Sequence, residues 1–296
     1  MTAIVAVHSW RGGTGKSTVV ARLGRTLAGR GLRVGMVDAS LHAPGLHEAL
    51  DIDASSFRLC LWDYLRGVCE IEDARHDLSW LLPAPAGTLF LVPARTDVEA
   101  ISLYAASGRY DAGLLHEGFH RLISRLGLHV LLIDTHAGAD HEALHAIASS
   151  DVDILVTRAG SAEQRSAGLA ASISHQLGRI PPASLLVVNM LPPGRDPVPY
   201  GNCAAEAYRL PVAAVLPRLP EPLGLRPDPD RLTPGFDALA DRIQALGRLS
   251  SVQPTARAGA VERRTTSDGA SSTERGIRSG SSIASSSSRA ASKPSS

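Results

Sequence analysis

The stretch AIVAVHSWRGGTGKSTVVARLGRTLAG, residues 3 to 29, leaves the chain few ways to fold. A β-branched apolar run (3 to 9) meets a turn holding Gly12, Gly13 and Gly15. A segment with Val20, Leu23 and Leu27 at helical spacing follows it. The next apolar run, LRVGMVDAS (32 to 40), ends in Asp38 and completes a strand–helix–strand unit. Two strands joined across one helix must lie parallel, because a tight hairpin cannot connect them.

The rest of the chain repeats that alternation. Apolar runs at 88–94, 129–135, 152–158, 183–189 and 211–217 read as further strands, and helical patterns occupy about 112–126, 141–149, 161–177, 202–209 and 236–248. Continuous apolar strands interleaved with helices predict an α/β fold: a doubly wound, mostly parallel sheet with helices on both faces. Ligands in such sheets sit beyond the carboxyl ends of the strands, where the glycine loop, Asp38, Asp134 and Asn189 all fall.

From Ser250 onward almost no large apolar side chain occurs, so residues 250–296 are expected to be a disordered tail and 1–249 a single folded body. Residues 251–296 carry seven Arg or Lys against three acids; with a net charge of +1 overall, the body is left at −3. A mildly acidic body with a basic tail does not announce a nucleic-acid protein, and the tail reads as a solubilising extension or a site of phosphorylation. Cys60, Cys69 and Cys203 form no CxxC pair. With no leader-like segment and no long apolar run, a reducing cytoplasm is the expected location.

The loop itself carries chemistry. In the pattern G-x-x-x-x-G-K-[ST], backbone N–H groups ring a phosphate, the lysine reaches the outer phosphates and the hydroxyl holds Mg²⁺. Gly15, Lys16 and Ser17 match, but Trp10 occupies the first glycine position. The chain has only two lysines, Lys16 and Lys293, among 30 basic residues, so Lys16 is the sole lysine of the body. A compact ammonium fits between two phosphates where a planar guanidinium does not. The competing reading is a glycine-rich turn that binds nothing. Asp134 ends the buried run HVLLID, where a carboxylate needs a cation or donors; otherwise it is a turn or cap residue.

SWRGGTGKST resembles the deviant phosphate loop of the ParA/MinD family of partitioning and positioning ATPases, with Arg11 at that family's signature lysine. VDASLHAPGLHEAL resembles its first switch, VLLIDTHAG its Walker B strand with the second switch, and LLVVN the strand whose asparagine faces adenine. The resemblance implies a P-loop fold that takes ATP and Mg²⁺. Gly12, Gly13, Thr14, Gly15, Lys16, Ser17, Thr18 and Asn189 would bind nucleotide, Ser17 and Asp134 the metal, and Lys16, Arg11 and Asp38 would serve catalysis. It also implies an ATP-clamped homodimer, with Arg11 reaching the partner's phosphates, and an activating protein or cargo adaptor. The dimer would cycle on a nucleoid surface, through non-specific DNA contacts, or on a membrane.

One departure concerns turnover: the family's first switch reads D-x-D, and here the positions are Asp38 and Ser40. A serine cannot act as a base at neutral pH, so hydrolysis is expected to be slow unless Asp38 or His42 assists. The alternative is a nucleotide-dependent switch that binds a partner and hardly hydrolyses. An iron–sulfur carrier of this superfamily would need paired cysteines, and a related tyrosine kinase a tyrosine-rich tail; neither is present. The apolar stripe Phe236, Leu239, Ile243, Leu246 suits a last core helix or a membrane-surface helix. HEGFH (116–120) and HEALH (141–145) fit H-E-x-x-H, yet neither has a downstream third ligand, and both read as solvated helix faces.

Overall fold

The computed structural model describes residues 2–99, 102, 112–138, 141–160, 183–218 and 234–250. All of them lie within one compact unit that ends by Pro254. The expected helix at 161–177 and the tail fall outside the described residues.

Eight strands form one sheet: β1 (Ala3–Ser9), β2 (Arg33–Asp38), β3 (His76–Asp77), β4 (Thr88–Val92), β5 (Val130–Ala137), β6 (Val152–Arg158), β7 (Ala183–Leu191) and β8 (Val212–Pro217). Their spatial order is β3-β4-β2-β5-β1-β6-β7-β8, parallel except for the edge strand β3, which runs antiparallel to β4. β1 sits between β5 and β6, so the glycine loop leaves the middle of the sheet where the chain changes its winding direction. That is the crevice open α/β sheets use for ligands.

The helices are α1 (Lys16–Gly29), α2 (Leu46–Ala49), α3 (Leu61–Leu65), α4 (Ala112–Leu126), α5 (His141–Ala148), α6 (Pro197–Tyr208) and α7 (Pro234–Ser250). On one face of the sheet, Val20, Leu23 and Leu27 of α1 and Phe236, Leu239 and Ile243 of α7 pack on Val5, Val7, Met36, Leu132 and Val187. On the other face, Leu115, Phe119 and Leu122 of α4 cover Val37, Leu131 and Ile133, while Ala204 and Tyr208 of α6 cover Leu155 and Val188. Phe119 is wholly buried, and truncating such a side chain to alanine costs about 3–5 kcal/mol.

The stripe on α7 thus belongs to the core. Arg30, at the end of α1, fastens it there by ion pairs to Asp237 and Asp241, each at 2.7 Å. Among the described residues no helix is long and apolar enough to cross a membrane.

Two boundaries differ from expectation for local reasons. α6 starts at Pro197 rather than 202, because the Asp196 carboxylate accepts from Val198 N at 3.0 Å and caps a first turn in which proline is tolerated. α2, α3 and β3 are two to five residues long, too short to leave a periodic pattern in the sequence.

Candidate nucleotide-binding site

The loop between β1 and α1 is built by its glycines. Gly13 and Gly15 adopt φ of +73° and +82°, a left-handed backbone that glycine reaches at no steric cost. A Cβ on Gly15 would also come within 2.5 Å of Asn189 Nδ2. Trp10 is not among the positive-φ residues, so the missing first glycine imposes no strain. Its indole packs instead against the cluster of Leu155, Leu186, Val188, Ala204 and Tyr208, edge-on to His8 at 5.9 Å. His8 is itself a buried residue satisfied within the core, its Nδ1 2.6 Å from Asp153 Oδ1.

Three bonds hold the loop in place. Ser9 Oγ donates to Arg11 O at 2.7 Å, Gly138 N donates to Ser9 O at 2.8 Å, and Asn189 Nδ2 donates to Thr14 O at 2.8 Å. Asn189, expected to face adenine, thus has its amide nitrogen tied to the loop backbone. It comes from the irregular end of β7, where Met190 takes a φ of +60° and its Cε lies 3.2 Å from the Cβ position of Gly15. A non-glycine residue in that conformation is a local cost retained where surrounding contacts demand it.

Lys16, Ser17 and Thr18 form the first turn of α1, whose amide dipoles add to the attraction for an anion. Gly12 and Arg11 are exposed at the mouth of the loop.

Asp38 ends β2 and stands opposite Asp134 of β5 in the ladder. Both are buried, at 1% and 0% exposure. Burial first, and then the neighbouring Asp134 charge, pushes the Asp38 carboxyl up to about 7. Burial raises Asp134 to about 6, while the Lys16 charge and the Ser17 hydroxyl pull the other way.

Their hydrogen bonding separates them. Asp38 Oδ1 accepts from Ser40 N at 3.1 Å, and Oδ2 accepts from Gly45 N at 3.2 Å and Leu46 N at 3.0 Å. Both oxygens thus accept from the backbone of residues 40–46, which they fold over the site, with Gly45 backed against Ser17. Neither oxygen of Asp134 has a hydrogen-bond partner. An orphaned, fully buried carboxylate beside a serine hydroxyl and a lysine fits a hard divalent cation, and Mg²⁺ takes few protein oxygens while keeping waters or phosphate oxygens as its other ligands.

Ser40 is buried, and its hydroxyl donates to Ala43 O at 2.8 Å, closing its own turn. His42, on the same loop, meets His136 from the end of β5 with ring centroids 5.8 Å apart. His116 and His120 of HEGFH are exposed on α4, and in HEALH His145 is half-buried on α5; among the described residues no group of three or more His, Cys, Asp or Glu is placed to hold a metal. The amide contacts of Asp38 and the Met190 kink had no signal in the sequence because they depend on local backbone path, and the His8–Asp153 pair because it depends on strand register.

Known proteins match this arrangement. The model of the ParA group described as NUBPL iron-transfer P-loop NTPases matches residues 1–63. An uncharacterized ATP-binding protein of Methanocaldococcus jannaschii is 31% identical over 156 residues, 53% of either chain. The cell division ATPase MinD of Pyrococcus furiosus is 26% identical with a TM-score of 0.66, covering 83% of this chain and all of that one.

The chain has the fold of MinD-like P-loop proteins, and its first 63 residues resemble the ParA group.

Within the family's fold, MinD of Pyrococcus horikoshii in complex with Mg-ADP superposes with a TM-score of 0.63 at 24% identity, over 84% of this chain and 98% of that one. The chain spans about half the length of the curated relatives it matches. The loop has two left-handed glycines and Lys16, with Arg11 at its mouth, and Ser40 lies apart from it in the turn after β2. The iron-transfer group enters through the loop region alone: Cys60 is buried, Cys69 partly so and Cys203 exposed, and they are not gathered into a cluster.

Proposed function

We propose that the protein is a positioning or partitioning ATPase that binds ATP with Mg²⁺ in the β1–α1 loop, dimerises in that state and hydrolyses slowly. The observation that carries this reading is Asp134: a buried carboxylate with no hydrogen-bond partner, placed beside Lys16 and Ser17 at the foot of the loop. The loop N–H groups and Lys16 hold the phosphates, and Asn189 holds the loop rigid against β7. Ser17 and Asp134 would hold Mg²⁺, which supplies charge neutralisation at the phosphates when bound. Arg11, exposed at the mouth, is placed to reach the phosphates of a second copy and brace the γ-phosphate. An activating protein or cargo adaptor and a surface of non-specific DNA are the partners this reading expects; exposed Arg209, Arg218 and Arg242 suit the latter. With the α7 stripe in the core, a membrane surface has less support. The cytoplasm is the proposed compartment.

A second reading is favoured by Ser40. With its hydroxyl turned to Ala43 O and both Asp38 oxygens held by amides, the first switch offers no carboxylate to an attacking water. The protein then acts as a nucleotide-dependent binding switch. Calorimetry with ATP and Mg²⁺ tests the shared premise, and absence of nucleotide affinity in the folded protein overturns both readings. Single-turnover hydrolysis separates them: the ATPase reading expects measurable product in wild type and about tenfold faster release in Ser40→Asp. Arg11→Ala should abolish ATP-dependent dimerisation with binding of nucleotide retained.

A further inference from the structure

The exposed helix face carrying HEGFH is left unused by nucleotide chemistry. His116 and His120 stand one turn apart on α4, their rings at 4.5 Å between centroids and 74° between planes. Side chains four apart on a helix meet on one face, but exposed ones commonly splay into water. Two imidazoles bound to one ion through nitrogens at about 2.1 Å place their centroids about 4.5 Å apart at a right-angled geometry and about 5.2 Å apart at a tetrahedral one. The pair has the first separation.

The backbone beneath the pair is fixed. Leu115, Phe119 and Leu122 are buried to within 2% of complete, so the helix cannot roll. Tyr64 Oη donates to Leu114 O at 2.8 Å, and Arg121 pairs with Glu70 at 2.6 Å and Glu72 at 2.8 Å. A chelate on such a helix loses little backbone freedom when the ion arrives.

We propose that His116 and His120 form a surface site for a divalent transition-metal ion of the Zn²⁺, Ni²⁺ and Cu²⁺ class. The protein provides two imidazole ligands, and water or a donor from another molecule fills the remaining positions. The exposed Glu117 adds a negative charge alongside but does not complete a three-donor group. With two ligands and no cleft, the site binds and does not catalyse peptide hydrolysis, which accounts for the motif without a peptidase. Imidazole donors order the ions as Cu²⁺ above Ni²⁺ and Zn²⁺, with no affinity for Mg²⁺. The site is therefore independent of the nucleotide reading.

The test uses the full chain, freed of any affinity tag and stripped of metal, titrated with Cu²⁺ and with Zn²⁺ in the presence of millimolar Mg²⁺. Expected are one saturable ion per chain at micromolar concentration and electron paramagnetic resonance of the Cu²⁺ form showing nitrogen ligands. The melting temperature should also rise by about 5 °C at saturating ion. His116→Ala and His120→Ala should each weaken binding about tenfold or more and remove the thermal shift, while His42→Ala leaves both unchanged. Both histidines being exposed, unaltered circular dichroism checks the variants' fold. Binding that survives the double variant, that is lost in His42→Ala, that Mg²⁺ displaces, or that never saturates overturns the proposal.

Discussion

Asp38, at the end of β2, and Asp134, three residues before the end of β5, lie side by side in the ladder, and they differ in what the following backbone does. After Asp38 the chain turns back at once, and three of its amides cap the carboxylate. After Asp134 it continues along β5 through Thr135 and His136, whose hydrogen bonds go elsewhere, so that carboxylate stays without a partner. Two aspartates of equal burial therefore differ, one shaping a loop and the other left to the cation proposed above. Composition and spacing cannot separate them. The direction of the next few amides can.

The sharpest way to break this comparison is to remove the charge that Asp134 faces. Lys16→Ala should lower nucleotide affinity about 100-fold, since its ammonium is the body's only lysine and sits at the phosphate position; calorimetry reads this. A wild-type affinity would move the site elsewhere.

Next in size, Asp38→Ala strands the amides of Ser40, Gly45 and Leu46 and should destabilise the protein by about 2 kcal/mol in urea unfolding. Amide exchange at Gly45 and Leu46 should speed up with it. Asp134→Asn should behave in the opposite sense. Without ligands it relieves a buried like-charge pair and raises the melting temperature, while the strengthening of nucleotide binding by Mg²⁺ falls about tenfold. If the two variants shift stability in the same direction, the division of roles is wrong.

The smallest effect is in pH. Asp38 is raised to about 7 and Asp134 to about 6, both above ordinary unfolded carboxyls. In that window the folded state holds more protons than the unfolded one, so these groups favour folding at low pH. Their contribution is lost as pH rises from about 4 through 7. The metal-free melting temperature should fall across that range, and Asp134→Asn should flatten the slope.

Much of this was legible in the residues. Strand ends at 3–9, 88–94 and 152–158 agree with the structure within two residues, because continuous apolar runs between glycine-rich turns admit few other assignments. Among the described helices, those at 112–126 and 141–149 were equally plain from their spacing. At the site, Gly13, Gly15, Lys16, Ser17 and Asp134 were marked by type and interval. The backbone donors that Asp38 accepts from and the bond from Asn189 to Thr14 O were not readable in the residues. The stripe Phe236, Leu239, Ile243 was readable as an amphipathic face, but only α1 and the sheet decide what it covers.

The sequence by itself therefore determined the alternation of elements, the parallel sheet and the chemistry of the glycine loop, because those depend on neighbours along the chain. The tertiary structure alone decided which carboxylate is capped, what Asn189 holds, where the last helix buries its apolar side and how closely His116 and His120 approach. Each is a matter of ångströms between groups set by packing and strand register, and residue spacing does not encode such distances.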